Sequence, residues 1–144
     1  MLIHFYRLSN FLYQLKIPLI PKLIYYFQYL LFNCAIPAEV KIGKNTKFGY
    51  GGIAVVIHKR AVIGDNCKIG TSVTIGGTSK KYEVPIIGDN VQISTGSKIL
   101  GPIKIGNNVI IGANSVVLID VPDNCLVVGV PGKIIKTNIN IDEY

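Results

Sequence analysis

The chain has 144 residues, which is enough for one domain with a substantial core. It is 49 % hydrophobic and only 16 % charged, a balance that favours subunit interfaces or contact with a membrane surface. Its net charge of +7 favours anionic partners, among them a phosphate-bearing cofactor and anionic lipid. No basic cluster with interleaved aromatic residues occurs, so we do not expect nucleic acid as a partner.

The cysteines indicate the compartment. Cys34, Cys67 and Cys125 are odd in number and widely separated, with no Cys-x-x-Cys motif. Such thiols are typical of buried positions in a reducing compartment, so we expect a cytoplasmic protein without disulfide bonds. No histidine lies close to them in sequence, and no metal site is expected.

Residues 1–38 differ in composition from the rest and are predicted to be helical. Met1–Leu15 has the pattern of a short amphipathic helix, which Pro18 and Pro21 break. Lys22–Asn33 predicts a second helix. We expect this segment to form a cap on the following domain or to lie at a subunit interface.

Membrane contact is the alternative for the same segment. Its longest uncharged run covers 16 residues, 23–38, which is short of the roughly 20 apolar residues that a membrane span needs. It also lacks a clean signal-peptide cleavage site. Two interpretations stay open, a helical cap and an interfacial helix that lies on a membrane.

From residue 63 onward the chain is organised in sixes. Nine aliphatic residues keep one phase, at intervals of six or twelve: Ile63, Ile69, Ile75, Ile87, Ile93, Ile99, Ile105, Ile111 and Val117. This period fits a solenoid of short strands in which each aliphatic residue points inward. Glycine follows six of them, and we expect it at bends with positive φ. The sequence predicts an all-β solenoid over residues 39–136, with a polar tail at 137–144.

Two irregular stretches interrupt this pattern. Phe48–Gly52, with the sequence FGYGG, shifts the phase by three residues. Thr78–Pro85, with the sequence TSKKYEVP, replaces a hexad whose inward position falls on Lys81. An unpaired lysine is not tolerated in a dry core, so we expect these residues to leave the solenoid as a loop.

One histidine is predicted to lie beneath this loop. Three hexads make a coil of 18 residues, so Gly76 should lie one coil above His58 at the same corner. A group that titrates near neutral pH, beside glycines and under a mobile segment, is typical of a catalytic site. A solvent-exposed turn histidine fits the spacing equally well. His4, in the first predicted helix, is expected at the surface or an interface.

Longer motifs resemble those of a known family. They are AVIGDNCKIGTSVTIGGTSKKYEVPIIGDN, ISTGSKILGPIKIGNNVIIGANSVVLIDVPDNC and the closing GVPGKII. Over residues 39–136 they resemble the serine acetyltransferase branch of the hexapeptide-repeat acyltransferases. The resemblance implies a left-handed parallel β-helix, a homotrimer, and acetyl-CoA in the groove between neighbouring coils. It also implies direct acetyl transfer to a hydroxyl, with a histidine as general base.

The chain departs from that family at the catalytic histidines. The family's Asp–His pair precedes a GIVV-like strand, where this chain has Tyr50–Gly51 and no histidine. Its second histidine lies in the loop before the proline, where this chain has Lys81, Tyr82 and Glu83. The chain also resembles the shorter O-acetyltransferases found with bacterial polysaccharide and lipopolysaccharide genes, which implies that His58, in VVIHKRAVIG, is the base.

The resemblance implies further site residues. Backbone amides near Gly76 and Gly77 are expected to stabilise the oxyanion, and Glu83 is either the residue that orients His58 or a solvated loop charge. The expected contacts of the pantetheine arm are the small residues Thr95, Gly96 and Ala113. Lys133 is expected at the cofactor phosphates, although a solvated position fits this lysine nearly as well.

Three functions stay open. The first is acetyl-CoA-dependent O-acetyl transfer to a small acceptor, either a sugar of a surface polysaccharide or lipopolysaccharide, or L-serine. The second is a non-catalytic β-helix scaffold, and the third is N-acetyl transfer to an amino sugar. A histidine beneath a loop favours an enzyme over a scaffold.

Overall fold

The computed structural model describes all 144 residues, and two helices precede fourteen short strands. The helices are α1, Leu2–Gln14, and α2, Ile20–Phe32. The strands are β1 Lys41–Ile42, β2 Lys47–Phe48, β3 Val56–Ile57, β4 Val62–Ile63, β5 Lys68–Ile69, β6 Thr74–Gly76, β7 Ile86–Ile87, β8 Gln92–Ile93, β9 Lys98–Leu100, β10 Lys104–Ile105, β11 Ile110–Ile111, β12 Val116–Val117, β13 Leu126–Val128 and β14 Lys133–Lys136. Short 3₁₀ helices form at Gly49–Gly52 and Ile141–Glu143.

The strands build the three sides of a parallel β-helix. Sheet 1 holds β1, β4, β7 and β10; sheet 2 holds β2, β5, β8, β11, β13 and β14; sheet 3 holds β3, β6, β9 and β12. All pairs are parallel except β13 with β14. The chain passes from sheet 1 to sheet 2 to sheet 3 in each coil, and the turns between them are called corner 1–2, corner 2–3 and corner 3–1.

The hexad residues form the core. All nine phase-keeping aliphatic side chains are at most 3 % exposed. Ile57 lies in register with Ile75, and Ile75 with Ile99. The second interval is longer because that coil contains the predicted loop. The predicted solenoid and its inward aliphatic residues are therefore confirmed.

The glycines that follow these residues serve close approach between coils. A Cβ added at Gly64 would lie 2.5 Å from the carbonyl oxygen of Gly88 in the next coil. Positive φ occurs two residues later instead, at Asn66 with φ 56° and Asn90 with φ 55°. The expectation of positive φ at the hexad glycines is wrong, because the backbone turns at the asparagines.

Asparagines tie the coils together at corner 1–2. The side-chain amide of Asn90 donates to Asn108 at 3.2 Å, and that of Asn108 donates to Asn124 at 3.1 Å. Beside them, the backbone amide of Asp89 donates to the Oδ1 atom of Asn107 at 2.8 Å. Asparagine tolerates the left-handed region better than most residues, so it provides both the turn and the bond between coils.

Helix α1 lies across the N-terminal end of the β-helix. Leu2 and Tyr6 are buried in the core, and the Tyr6 hydroxyl donates to the carbonyl of Val40. The Nη1 atom of Arg7 donates to the carbonyl of Ile42 at 2.6 Å. These contacts cover the first coil, whose inward side chains would otherwise meet water.

Helix α2 begins earlier than predicted. Pro21 lies in the first turn of α2 instead of before the helix. Proline is tolerated there because the backbone N–H groups of the first turn have no acceptor within the helix. Neither α1 nor α2 has the length and apolar content that crossing a membrane requires. Helix α2 exposes a set of large apolar side chains, which are Leu23, Phe27, Leu30 and Leu31.

The C-terminal region adds a strand that the sequence did not predict. Lys133–Lys136 forms β14, which pairs antiparallel with β13. Beyond it, the amide of Ile139 donates to the carbonyl of Asn124 at 3.0 Å. The chain therefore turns back along sheet 2 after β13.

Candidate functional site

Corner 3–1 brings the predicted histidine beneath the loop. His58 follows β3, and its backbone amide donates to the carbonyl of Ile75 at 2.8 Å. The register of β3 with β6 places Gly76 one coil above His58, as the spacing predicts. The chain leaves the β-helix after Gly76 and returns at Ile86, where β7 begins.

The His58 imidazole is held by its own turn. Its Nδ1 atom accepts a hydrogen bond from the backbone amide of Arg60 at 3.2 Å, so the neutral ring carries its proton on Nε2. Burial lowers the pKa of His58, and the cations Arg60 and Lys59 lower it further. The ring is therefore mainly neutral at pH 7. Proton uptake at Nδ1 requires release of the Arg60 amide.

The loop is tied to this corner through Arg60. The Arg60 guanidinium donates to the carbonyl of Tyr82 and stacks 4.0 Å from the centroid of the Tyr82 ring. Val84 anchors the end of the loop in the core. Glu83 is exposed, and the side-chain hydrogen bond of His58 is to the Arg60 amide, not to Glu83.

The predicted oxyanion donors differ in their surroundings. Gly76 belongs to β6 and pairs with Leu100 of β9. Gly77 lies just outside the strand, is exposed, and its amide donates to no other atom of the protein. A free backbone N–H at this corner suits a developing negative charge, so Gly77 is the better donor of the two.

The predicted cofactor residues lie along corner 2–3. The amide of Asn114, next to Ala113, donates to the carbonyl of Thr95 at 2.9 Å and aligns the two coils. Thr95 and Ala113 are exposed, and Gly96 has φ +79°. Lys133 follows the last turn of the same corner and is exposed. Small side chains thus leave a continuous strip of accessible backbone below one lysine.

Sheet 3 separates these two groups of residues. His58 and Glu83 border its corner 3–1 edge, whereas Thr95 and Ala113 border its corner 2–3 edge. His58 lines none of the main surface depressions of the single chain. A site that uses both groups therefore takes them from two chains, or holds a ligand that crosses sheet 3.

A depression on sheet 2 was not predicted. It has a volume of about 510 Å³ and is lined by Lys47, Lys68, Gln92 and Thr95, with Tyr50 at its rim. Tyr50 is 88 % exposed and has a left-handed backbone. The glycine-rich sequence around Tyr50 indicated an irregularity in the repeat but not a depression. The depression could not be predicted, because the register between coils decides which side chains line it.

The other reactive groups of the chain do not form a second site. All three cysteines are free and buried, and burial raises the pKa of the Cys34 thiol to about 11. Burial likewise raises the pKa of the Cys67 thiol. No group of three or more His, Cys, Asp or Glu side chains is arranged to hold a metal ion.

Known proteins resemble this chain in sequence and structure. Residues 85–118 match the family model for the bacterial transferase hexapeptide (six repeats). The serine acetyltransferase of Synechococcus elongatus is 41 % identical over 140 residues, covering 95 % of this chain and 57 % of that protein. The chain is a serine acetyltransferase-like hexapeptide-repeat protein.

Solved structures extend the likeness to the fold. A serine acetyltransferase from Brucella abortus strain S19, in complex with coenzyme A, matches with a TM-score of 0.89 at 33 % identity, covering 96 % of this chain and 56 % of that one. A serine acetyltransferase in complex with cysteine matches with a TM-score of 0.87 at 32 % identity, covering 94 % and 53 %. The β-helix is left-handed, as in these structures. The chain spans about half the length of the relatives it matches.

Proposed function

We propose that the protein transfers an acetyl group from acetyl-CoA to the hydroxyl of a small acceptor, with L-serine as the first candidate. The observation that carries the proposal is the likeness to serine acetyltransferases over nearly the whole chain, α1 and α2 included. One such structure holds coenzyme A and another holds cysteine, which differs from serine in one atom of its side chain. Both ligands fit a reaction between a thioester and serine.

Corner 2–3 suits an extended thioester substrate. Thr95, Gly96 and Ala113 occupy successive coils, and their small side chains leave backbone amides and carbonyls within reach of a pantetheine arm. Lys133 stands at the C-terminal end of this strip, where its charge suits the phosphates. The thioester then points towards the first coils of the β-helix.

The reaction forms a bond between the acceptor oxygen and the acetyl carbon and breaks the bond from that carbon to sulfur. We assign His58 as the base that takes the hydroxyl proton and returns it to the departing thiolate. Its lowered pKa keeps it neutral and able to accept that proton, once Nδ1 is free of the Arg60 amide. The amide of Gly77 donates to the carbonyl oxygen as negative charge develops there.

A second chain completes the site in this proposal. We infer a homotrimer in the cytoplasm, in which the loop and His58 of one subunit face corner 2–3 of its neighbour, with Glu83 free to orient a histidine across the interface. Outward apolar side chains on the flat faces support the inference, among them Val56 at 44 % and Ile86 at 45 % exposure.

A sugar hydroxyl of a surface polysaccharide or lipopolysaccharide is the alternative acceptor. The apolar side chains on α2 favour it, because Leu23, Phe27 and Leu30 would suit a membrane surface on which such glycans are assembled. In that case the enzyme is peripheral to the membrane.

The test is consumption of acetyl-CoA with L-serine and with a panel of sugars, for wild type, His58→Ala and His4→Ala. His58→Ala should lower kcat by about 10²-fold or more, the usual range for loss of a general base. The dissociation constant for acetyl-CoA should not change. His4→Ala, a histidine exposed on α1, is the matched control and should be as active as wild type.

Each other outcome has one meaning. Equal activity of His58→Ala and wild type would show that the base assignment is wrong while the transferase activity stands. Acetyl transfer to an amino sugar alone would identify an N-acetyltransferase. Absence of turnover together with absence of acetyl-CoA binding would favour the scaffold.

A further inference from the structure

Two lysines share the depression on sheet 2 without an anionic partner. Lys47 of β2 and Lys68 of β5 lie directly opposite each other in the parallel register, so their strands are roughly 4.8 Å apart. The ammonium groups that donate hydrogen bonds within the protein are those of Lys98 and Lys136, not those of Lys47 and Lys68, and no carboxylate lines the depression. Asp142 lines a separate depression with Lys68 and forms no hydrogen bond to it. Like charges in register repel, so this pair favours an anion between them.

The rim of the depression is strained. Tyr50 has φ 47° and ψ 39°, a left-handed conformation that is costly for an aromatic residue. Burial does not compensate, because Tyr50 is 88 % exposed. Left-handed residues of this kind are often found at ligand-binding sites, so the conformation of Tyr50 is consistent with a ligand in the depression.

The depression lies at the reacting end of the proposed cofactor strip. Thr95 belongs to both the strip and the depression. Lys47 and Lys68 belong to the first two coils, whereas Lys133, the proposed phosphate contact, follows the last strand of the parallel stack. Three strand spacings separate β5 from β13 in sheet 2, or roughly 14 Å at 4.8 Å each. An anion at Lys47 and Lys68 is therefore distant from the Lys133 end of the strip and lies at the end towards which the proposed thioester points.

We propose that this depression binds the anionic group of the acceptor, a carboxylate or a phosphate, between Lys47 and Lys68, with the Tyr50 ring as its wall. The inference rests on the proposed acetyl transfer for the identity of the ligand as acceptor. The site accounts for the lysine pair, for the strained tyrosine and for the shared position of Thr95. It also gives the hydroxyl of the same molecule a path to the thioester.

The experiment compares the double variant Lys47→Gln/Lys68→Gln with Lys41→Gln/Lys104→Gln. The control removes the same charge from two exposed lysines of sheet 1, away from the depression. Dissociation constants of the full chain are measured by NMR titration with L-serine, L-serinamide, inorganic phosphate and acetyl-CoA. The first variant should weaken binding of L-serine or phosphate by at least about tenfold, as loss of a charged hydrogen bond predicts, and leave L-serinamide and acetyl-CoA unchanged. The control should match wild type.

The probes also separate the two sources of the anion. Selective loss of L-serine binding identifies a carboxylate acceptor, and selective loss of phosphate binding identifies a phosphorylated one. Unchanged binding of both, no binding of either by wild type, or weakening of acetyl-CoA alone would each overturn the proposal. Binding that depends on the lysines without turnover of any acceptor would leave the anion site in place and refute the acetyl transfer.

Tyr50→Gly is the second variant. Glycine adopts the left-handed backbone without strain, so the midpoint of thermal unfolding should not fall. Binding of the same probe should nevertheless weaken, because the wall of the depression is lost. A lowered midpoint with unchanged binding would show that Tyr50 serves the fold alone.

Discussion

Corner 1–2 and corner 3–1 are turns of the same β-helix, yet they keep the repeat to different degrees. At corner 1–2 every coil turns through a similar short unit, and asparagine side chains join Asn45 to Asn66 and, separately, Asn90 to Asn108 and Asn124. At corner 3–1 one coil turns at His58, the next leaves as the loop, and a third turns at Gly101 with φ +96°. At corner 1–2 the polar side chains form hydrogen bonds with one another, whereas at corner 3–1 the Gly77 amide has no hydrogen-bond partner. In the proposed mechanism, stability and chemistry therefore belong to different corners.

The largest expected effect concerns close approach at the regular corner. Gly64→Ala places a methyl group 2.5 Å from the Gly88 carbonyl oxygen, and we expect a loss of about 3 kcal/mol in the free energy of unfolding, the upper part of the usual overpacking range. Urea denaturation measures it. Gly49→Ala is the control, since its nearest contact would be an ordinary 3.7 Å and its φ is not positive. Equal stability of the two variants would contradict the close-approach explanation.

The next effect concerns the asparagine ladder. Asn108→Ala removes two side-chain hydrogen bonds and leaves alanine at φ 54°, so we expect a loss of about 2 kcal/mol. Asn108→Gly loses the same bonds but accepts the backbone angle, and should recover about 1 kcal/mol of that loss. If glycine proved no better than alanine, the left-handed turn would not be what asparagine provides here.

At corner 3–1, removal of a larger side chain should lower the free energy of unfolding by less than Asn108→Ala does. Tyr82→Ala removes an exposed aromatic ring from Arg60, and the expected loss is only about 0.5 kcal/mol because such stacking at the surface is weak. Tyr82→Phe keeps the ring and should equal wild type in urea. A loss as large as that of Asn108→Ala would mean that the loop contributes to folding as much as the ladder does.

The smallest effect is a shift of the His58 titration. The cation at Arg60 helps to lower the pKa of His58, so Arg60→Gln should raise it towards the ordinary value of 6.5. A base acts when deprotonated, so wild-type activity should rise with pH through a midpoint below 6.5, and the variant's midpoint should move upward. NMR titration in a His4→Gln background measures the single imidazole. Lys104→Gln is the control, because it removes one positive charge far from His58, and it should not change the midpoint.

Sequence reasoning located the irregular corner because the evidence for it is local. The hexad phase gives the inward residues, and Lys81 at an inward position marks the loop. The same reasoning misjudged the hexad glycines, since only the neighbouring coil reveals that a Cβ at Gly64 has no room. His58 and Thr95 lie at opposite edges of sheet 3 in one chain, so their meeting in one site stays a prediction that requires a second chain.

The sequence alone determined the solenoid, the direction of each aliphatic side chain and the coil that contains the loop, because a period of six is a property of consecutive residues. Tertiary structure decided what meets across coils. Lys47 and Lys68 face each other because the slip near Tyr50 adds three residues to the regular coil length, and the loop lengthens the next coil further. Pairing between coils depends on these insertion lengths and on hydrogen bonds between distant strands, which no local pattern contains.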